Sequence, residues 1–207
     1  MPYSGIETGI GNLRKGEFII ITDNRDRENE GDLVIAAEKA TPQKINFMIK
    51  EAGGLICAPM EGDRLDMLKI PLMVPQKLNN ETTKCRFTVS VDFRIGTSTG
   101  ISASDRSATI RALASEKSSW KDFAMPGHVF PLRYEEGGVL KREGHTEAAV
   151  DMCRLAGLYP AAAICEILDK NGNASKTKDL MEFSRKHGIT IIPINSLLEY
   201  MRANRFN

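Results

Sequence analysis

The apolar positions of this chain fall into short β-branched runs separated by helical patterns. Phe18, Ile19, Ile20 and Ile21 form one run, and Leu33, Val34, Ile35 and Ala36 form another; both read as buried strands. Residues 55–58 read as a third strand, and residues 161–168 and 189–194 as two more. Phe87, Val89, Val91 and Phe93 alternate with Thr88, Ser90 and Asp92, the pattern of a half-buried strand. Helical patterns lie between the strands. Thr41-Pro42 opens one with proline at the first helical position, and Gly53-Gly54 closes it. Ser104-Asp105 can cap a second running through Thr109 to Leu113. Thr146-Glu147 can open a third through Val150, Met152 and Leu155 to Gly157. A fourth covers 177–186 and ends at His187-Gly188, and a last one starts at Ser196. Residues 68–84, near Pro59, Pro71 and Pro75, read as irregular. The expected fold is α+β with α/β-like layering, a single domain over residues 1–207 whose mixed sheet packs against helices.

Composition adds exclusions more than detail. With 207 residues, 42% of them hydrophobic, the chain can bury a core without disulfide or metal staples. A formal net charge of +1 gives no field for nucleic acid or a membrane surface. No apolar run approaches the length of a membrane span, and the N-terminus has no secretory apolar core, so a cytoplasmic location is expected. The four cysteines lack C-x-x-C spacing, which argues against a zinc ribbon or a disulfide framework. Cys153 and Cys165 read as small buried hydrophobes.

The acidic segment between the first two strands changes the picture. Asp23, Asp26, Glu28, Glu30 and Asp32 crowd together with Arg25 and Arg27. Packed carboxylates oppose one another's ionisation, and a divalent cation or a shared proton relieves the strain; a solvated acidic loop is the plain alternative. If the segment is extended, Asp26, Glu28, Glu30 and Asp32 share one face. It imitates the start of a calcium-binding EF-hand loop, but Ala37 stands where the closing glutamate is needed and the flanks are strand-like.

Each of the three histidines can be weighed. His187 suits a helix C-terminus and reads as structural. His128 follows Pro126-Gly127, a turn, and by itself also reads as structural. His145 lies where a loop enters a helix beside Arg142, a place that favours an anion or a metal ligand. Residues 96–106 hold a second such opening, rich in glycine and hydroxyls, which reads either as a phosphate cradle or as a polar turn with a cap. Glu166 interrupts an apolar run, which is costly unless it is paired, protonated or at a strand end. Together these features indicate a metal-dependent enzyme acting on a small phosphorylated substrate.

Asp26-Arg27-Glu28-Asn29-Glu30-Gly31-Asp32 resembles the acidic-loop signature of the 3,4-dihydroxy-2-butanone 4-phosphate synthase family. Gly53 to Cys57, Thr99 to Arg106, Pro126 to Leu132, Gly144 to Ala148 and Cys165-Glu166 resemble that family's other blocks, in order and across nearly the whole chain. The resemblance implies a homodimer that splits ribulose 5-phosphate into formate and L-3,4-dihydroxybutan-2-one 4-phosphate through a metal-stabilised enediolate and a skeletal rearrangement. It implies Mg²⁺ or Mn²⁺, two ions per site, held by Glu28 and His145. Substrate contacts are expected from Arg27, Glu28, Asp32, Thr99, Arg142, Glu143, Gly144, His145, Thr146 and Glu166. Of these, Arg142 and Thr146 are expected near the phosphate, together with Ser102, Ser104, Asp105 and Arg106. His128, Glu166, Asp32, Glu30 and Cys57 are expected in the catalytic set, with Cys57 lining the site. Glu143 and Cys85-Arg86 depart from the family pattern. With no second domain following, the chain resembles the stand-alone form, without GTP cyclohydrolase activity. Another sugar-phosphate isomerase or aldolase, or a non-catalytic nucleotide-binding module, is the competing reading; scarce aromatics and low net charge argue against nucleic acid.

Overall fold

A computed structural model describes residues 4–24 and 26–204. The centre is a seven-stranded mixed sheet: β1 (Ile19–Thr22), β2 (Gly31–Ala36), β3 (Cys57–Met60), β4 (Val91–Phe93), β5 (Phe123–Arg133), β6 (Ala162–Glu166) and β7 (Thr190–Pro193), in the order β4-β5-β3-β6-β2-β1-β7. β1 runs antiparallel to β2, β2 to β6 and β3 to β6, whereas β3–β5 and β1–β7 are parallel pairs. Among the described residues, seven α-helices accompany it: α1 (Ser4–Lys15), α2 (Pro42–Phe47), α3 (Gly62–Met67), α4 (Ala103–Leu113), α5 (His145–Leu155), α6 (Thr177–His187) and α7 (Ile194–Ala203).

The apolar runs are continuous because both faces of the sheet are covered. Leu33, Ile35, Ala163 and Cys165 face one core with Ile45 of α2, Ile110 of α4 and Leu180 of α6. Val34, Ala36, Ala162 and Ile164 face the other with Ile10 of α1, Met152 of α5 and Leu197 of α7. The expected α+β class and mixed sheet match this three-layer arrangement.

Three departures have local causes. The strand expected over 55–58 starts at Cys57, because the Leu55 N–H donates to the Glu166 carboxylate and not to a ladder. The strand expected from Phe87 to Phe93 shortens to β4, because Pro131 on the facing strand has no N–H; its carbonyl instead accepts from both the N–H and the hydroxyl of Thr88. Ser102, not Ser104, caps α4, its hydroxyl accepting from the Asp105 N–H at 3.0 Å.

Helix α1 is not among the elements predicted above. Gly5, Gly9 and Gly11 weaken its helical signal, yet Ile6, Ile10 and Leu13 form a buried stripe at helical spacing. Gly9 permits the close approach, since a Cβ there would lie 2.9 Å from Ile192 on β7. Leu13→Ala should destabilise the protein by roughly 2–5 kcal/mol, read from urea midpoints. A loss below about 1 kcal/mol would mean that the site collapses readily around the deletion.

Candidate active site

The acidic segment closes the β1–β2 hairpin, and Asp23 organises it. Its carboxylate accepts from the Glu30 N–H at 2.8 Å, the Glu28 N–H at 3.0 Å and Arg27 Nη1 at 2.8 Å, and its side chain is 1% exposed. Burial alone would raise this carboxyl; the two amides, His145 and Arg27 outweigh it and hold Asp23 below the usual carboxylate range. Arg27 also pairs with the Glu28 carboxylate. Asn29 adopts a left-handed conformation, φ 55°. The loop is therefore not extended, and the shared face expected for Asp26, Glu28, Glu30 and Asp32 does not form. Asp26 is exposed, while Glu28, Glu30 and Asp32 reach one cavity by a turn folded around Asp23. Sequence reasoning missed Asp23 as the hub; its signal was an aspartate at the head of a turn, a residue type that binds its own backbone.

The first residue of α5, His145, meets this loop. Its Nδ1 lies 3.8 Å from the Glu28 carboxylate, and one ligand atom each from Asp23, Glu28 and His145 fall within 4.8 Å of one another. The imidazole is buried, and its Nε2 is buried without a hydrogen-bond partner. Burial, reinforced by Arg27, lowers its pKa against the pull of Asp23 and Glu28. A neutral imidazole with an unsatisfied nitrogen beside two carboxylates suits a hard divalent cation.

Next to this cluster sit Asp32 and Glu166, paired in register across β2 and β6. Asp32 is pushed well above the usual carboxylate range, first by burial and then by Glu166, Glu28, Glu30 and Asp23. Glu166 ends its strand half-buried, and its Oε2 accepts from the Leu55 N–H at 2.8 Å. Cys57 lines the same wall; burial, with Glu166 and Asp32, pushes its thiol well up, so it presents S–H and not thiolate. Gly54 is required here, because a Cβ would lie 2.5 Å from the Glu166 carbonyl and carboxylate oxygens. Gly54→Ala should cut turnover on the order of 10²-fold by displacing Glu166, with steady-state kinetics as the check. Unchanged kcat would detach Glu166 from the chemistry.

The phosphate-side candidates are pre-ordered. Arg142 donates to the buried Glu147 at 2.6 Å and, through Nε and Nη2, to the Thr83 carbonyl at 3.3 and 2.9 Å. Buried Gly144 leaves room for this fork, since a Cβ there would lie 2.2 Å from Arg142 Nη1. Thr146 is buried, with its hydroxyl 3.9 Å from Cys85 Sγ. Arg27, Glu28, Glu30, Asp32, Cys57, Arg142, His145, Thr146 and Glu166 all line one cavity of about 160 Å³. Glu81, Thr83 and Cys85 line it too, and sequence reasoning missed all three because they fall in the irregular 68–84 stretch and at its border.

Residues 7–200 match the family model described as 3,4-dihydroxy-2-butanone 4-phosphate synthase. The chain belongs to this family. It is 50% identical over 203 residues to the 3,4-dihydroxy-2-butanone 4-phosphate synthase of Agrobacterium fabrum, covering 98% of this chain and 94% of that protein. It is 52% identical over 200 residues to the riboflavin biosynthesis protein RibBA of Endomicrobium trichonymphae, covering 97% of this chain. The chain spans 49% of that longer relative. A crystal structure of a 3,4-dihydroxy-2-butanone 4-phosphate synthase in complex with two magnesium ions superposes with a TM-score of 0.92 at 38% identity, covering 97% of each chain.

Not every position carried over from the 3,4-dihydroxy-2-butanone 4-phosphate synthase pattern lies in the cavity. Thr99, Ser102, Ser104 and Glu143 are exposed and outside the lining. Asp105 is occupied with its own loop, accepting from the Ser98 hydroxyl, the Ser98 N–H and the Gly100 N–H; these bonds hold its carboxyl low. Half-buried Arg106 has its Nε buried without a partner. His128 is exposed on β5, its Nδ1 2.7 Å from Asp92 and its N–H donating to Asp92 at 2.8 Å. It lies four residues from the cavity-lining Leu132, about 13 Å along an extended strand.

Proposed function

We propose that this protein splits ribulose 5-phosphate into formate and L-3,4-dihydroxybutan-2-one 4-phosphate, serving riboflavin biosynthesis. The observation that carries the reading is the convergence of Glu28 and His145, with Asp23 behind them, at the wall of the cavity that also holds the raised Asp32. Glu28 and His145, with Asp23 beside them, would hold Mg²⁺ or Mn²⁺, two ions in all. Such ions supply Lewis-acid polarisation of vicinal oxygens.

The chain's own groups divide the remaining work. Asp32, raised well above the usual carboxylate range by burial and its neighbouring carboxylates, is suited to hold and pass a proton, with Glu30 and Glu166 as further carriers. Arg142, Thr146 and the amides at the start of α5 form the phosphate pocket. Arg142 arrives already aimed, because Glu147 and the Thr83 carbonyl hold its fork.

A homodimer fits the remaining residues. Ile95, Ile101 and Met125 are 63%, 54% and 37% exposed, and they come from the same segments as Thr99, Ser102 and His128. A second copy covering these segments would carry Thr99, His128 and residues 102–106 toward its neighbour's cavity. No helix among the described residues is long and apolar enough to cross a membrane, in keeping with the cytoplasmic location proposed here.

The deciding experiment is formate release from ribulose 5-phosphate with Mg²⁺ and then with EDTA. Metal-dependent formate is expected. Its absence from folded protein under both conditions would return the protein to the isomerase, aldolase and binding-module readings.

A further inference from the structure

The start of α6 grips the acidic loop at three points. Lys176 Nζ donates to the Glu28 carbonyl at 3.1 Å and pairs with the Glu30 carboxylate at 3.4 Å. Thr177 Oγ1 donates to Asn29 Oδ1 at 3.2 Å. Between the two residues held by the ammonium stands Asn29, the left-handed one. Lys176 is itself anchored as the N-cap residue of α6, its N–H directed at the Asp179 carboxylate.

The Lys176 side chain is 51% exposed. An exposed ion pair of this kind adds little to stability, so a purely stabilising role explains the arrangement poorly. Its geometry explains it better. Fixing the Glu28 carbonyl fixes the direction in which the Glu28 side chain leaves the loop toward His145. Pairing with Glu30 draws that carboxylate to its own place on the cavity wall. Among the described residues, Lys176 is the one cation paired with Glu30.

We propose that Lys176 is a positioning residue for Glu28 and Glu30, reached from a distant helix and holding the acidic loop in its metal-ready turn. This rests on the metal-dependent reading of the same site. Lys176→Met and Lys176→Arg test it, with Lys186→Met as the control, because Lys186 makes a comparable pair with Glu51 at the far end of the same helix.

The first readouts are taken without substrate: Mn²⁺ affinity by electron paramagnetic resonance, and hydrogen exchange of the 24–30 amides in the metal-free protein. Lys176→Met should weaken Mn²⁺ binding about tenfold and lower kcat roughly 10–100-fold, the range for groups that orient metal ligands. Exchange across 24–30 should quicken. KM should stay within about threefold, and the melting temperature within about 2 °C. Lys176→Arg should recover most of the loss, and Lys186→Met should match the parent protein. Unchanged Mn²⁺ affinity and kcat in Lys176→Met would overturn the proposal, as would an arginine variant as impaired as the methionine one. If the parent protein released no formate, the proposed reaction would fall, while the Mn²⁺ and exchange measurements would still decide the role of Lys176.

Discussion

Glu28→Gln should reduce formate release by at least about 10²–10³-fold while the melting temperature holds or rises. The substitution keeps the side chain's shape and removes one ligand charge from the group formed with Asp23 and His145. Folding does not depend on that charge. Arg27 gives up its ionic pair with the Glu28 carboxylate but retains Asp23 as a partner, and the loop's other bonds run to the Asp23 carboxylate and the Glu28 carbonyl. Removing a negative charge also relieves repulsion felt by Asp32. Mn²⁺ binding should weaken in parallel with activity. Full turnover at ordinary Mg²⁺ would remove Glu28 from the ligand set.

Asp32→Asn should show the same trade more strongly, with turnover down on the order of 10²–10⁴-fold and stability up. Burial and four neighbouring carboxylates raise the Asp32 pKa in the folded state. Between its ordinary value and that raised value, the folded protein binds more protons than the unfolded chain. Stability is therefore fully present at low pH and is lost as pH rises through the folded pKa. Asparagine does not titrate, so the stability gain should be near zero in acid and grow toward neutral pH. Each kcal/mol recovered appears as about 2–4 °C in melting temperature for a chain of this size. Thermal scans of metal-free protein across pH provide the check. A variant less stable than the parent at neutral pH would mean that the buried carboxylate is satisfied by bonds an amide cannot make.

These effects could be anticipated only in part from residue order. The strands β1, β2 and β6 were plain because each is buried on both faces, which forces an unbroken apolar run. Helix α1 was hidden because three glycines lower its propensity, although only Gly9 is needed for its close packing. In the site, the crowding of carboxylates around Glu28 was visible, as was His145 at a helix start. The turn itself was not, since Asp23 works through its neighbours' backbone amides and such bonds leave no periodic trace. Lys176 and Glu28 are 148 positions apart, and Arg142 and Thr83 are 59, so only the folded chain brings them together. His128 and residues 99–106 carried a strong resemblance, yet nothing in the order of residues indicated that the folded chain would leave them outside the cavity.

Helices α1 and α7 lie side by side, joined by the Tyr200 hydroxyl donating to Glu7 at 2.7 Å, each bonded residue about one turn from its helix's outer end. The domain is thus nearly a closed ring of chain. A short bridge joining the two helices, with a new opening cut at the exposed turn around Gly172, would reorder the polypeptide without disturbing the sheet or the hairpin that carries Glu28. Circular permutation of this kind would place what is now the strand-to-loop half of the cavity, β6 and Glu166, at the end of synthesis, and the acidic hairpin ahead of it.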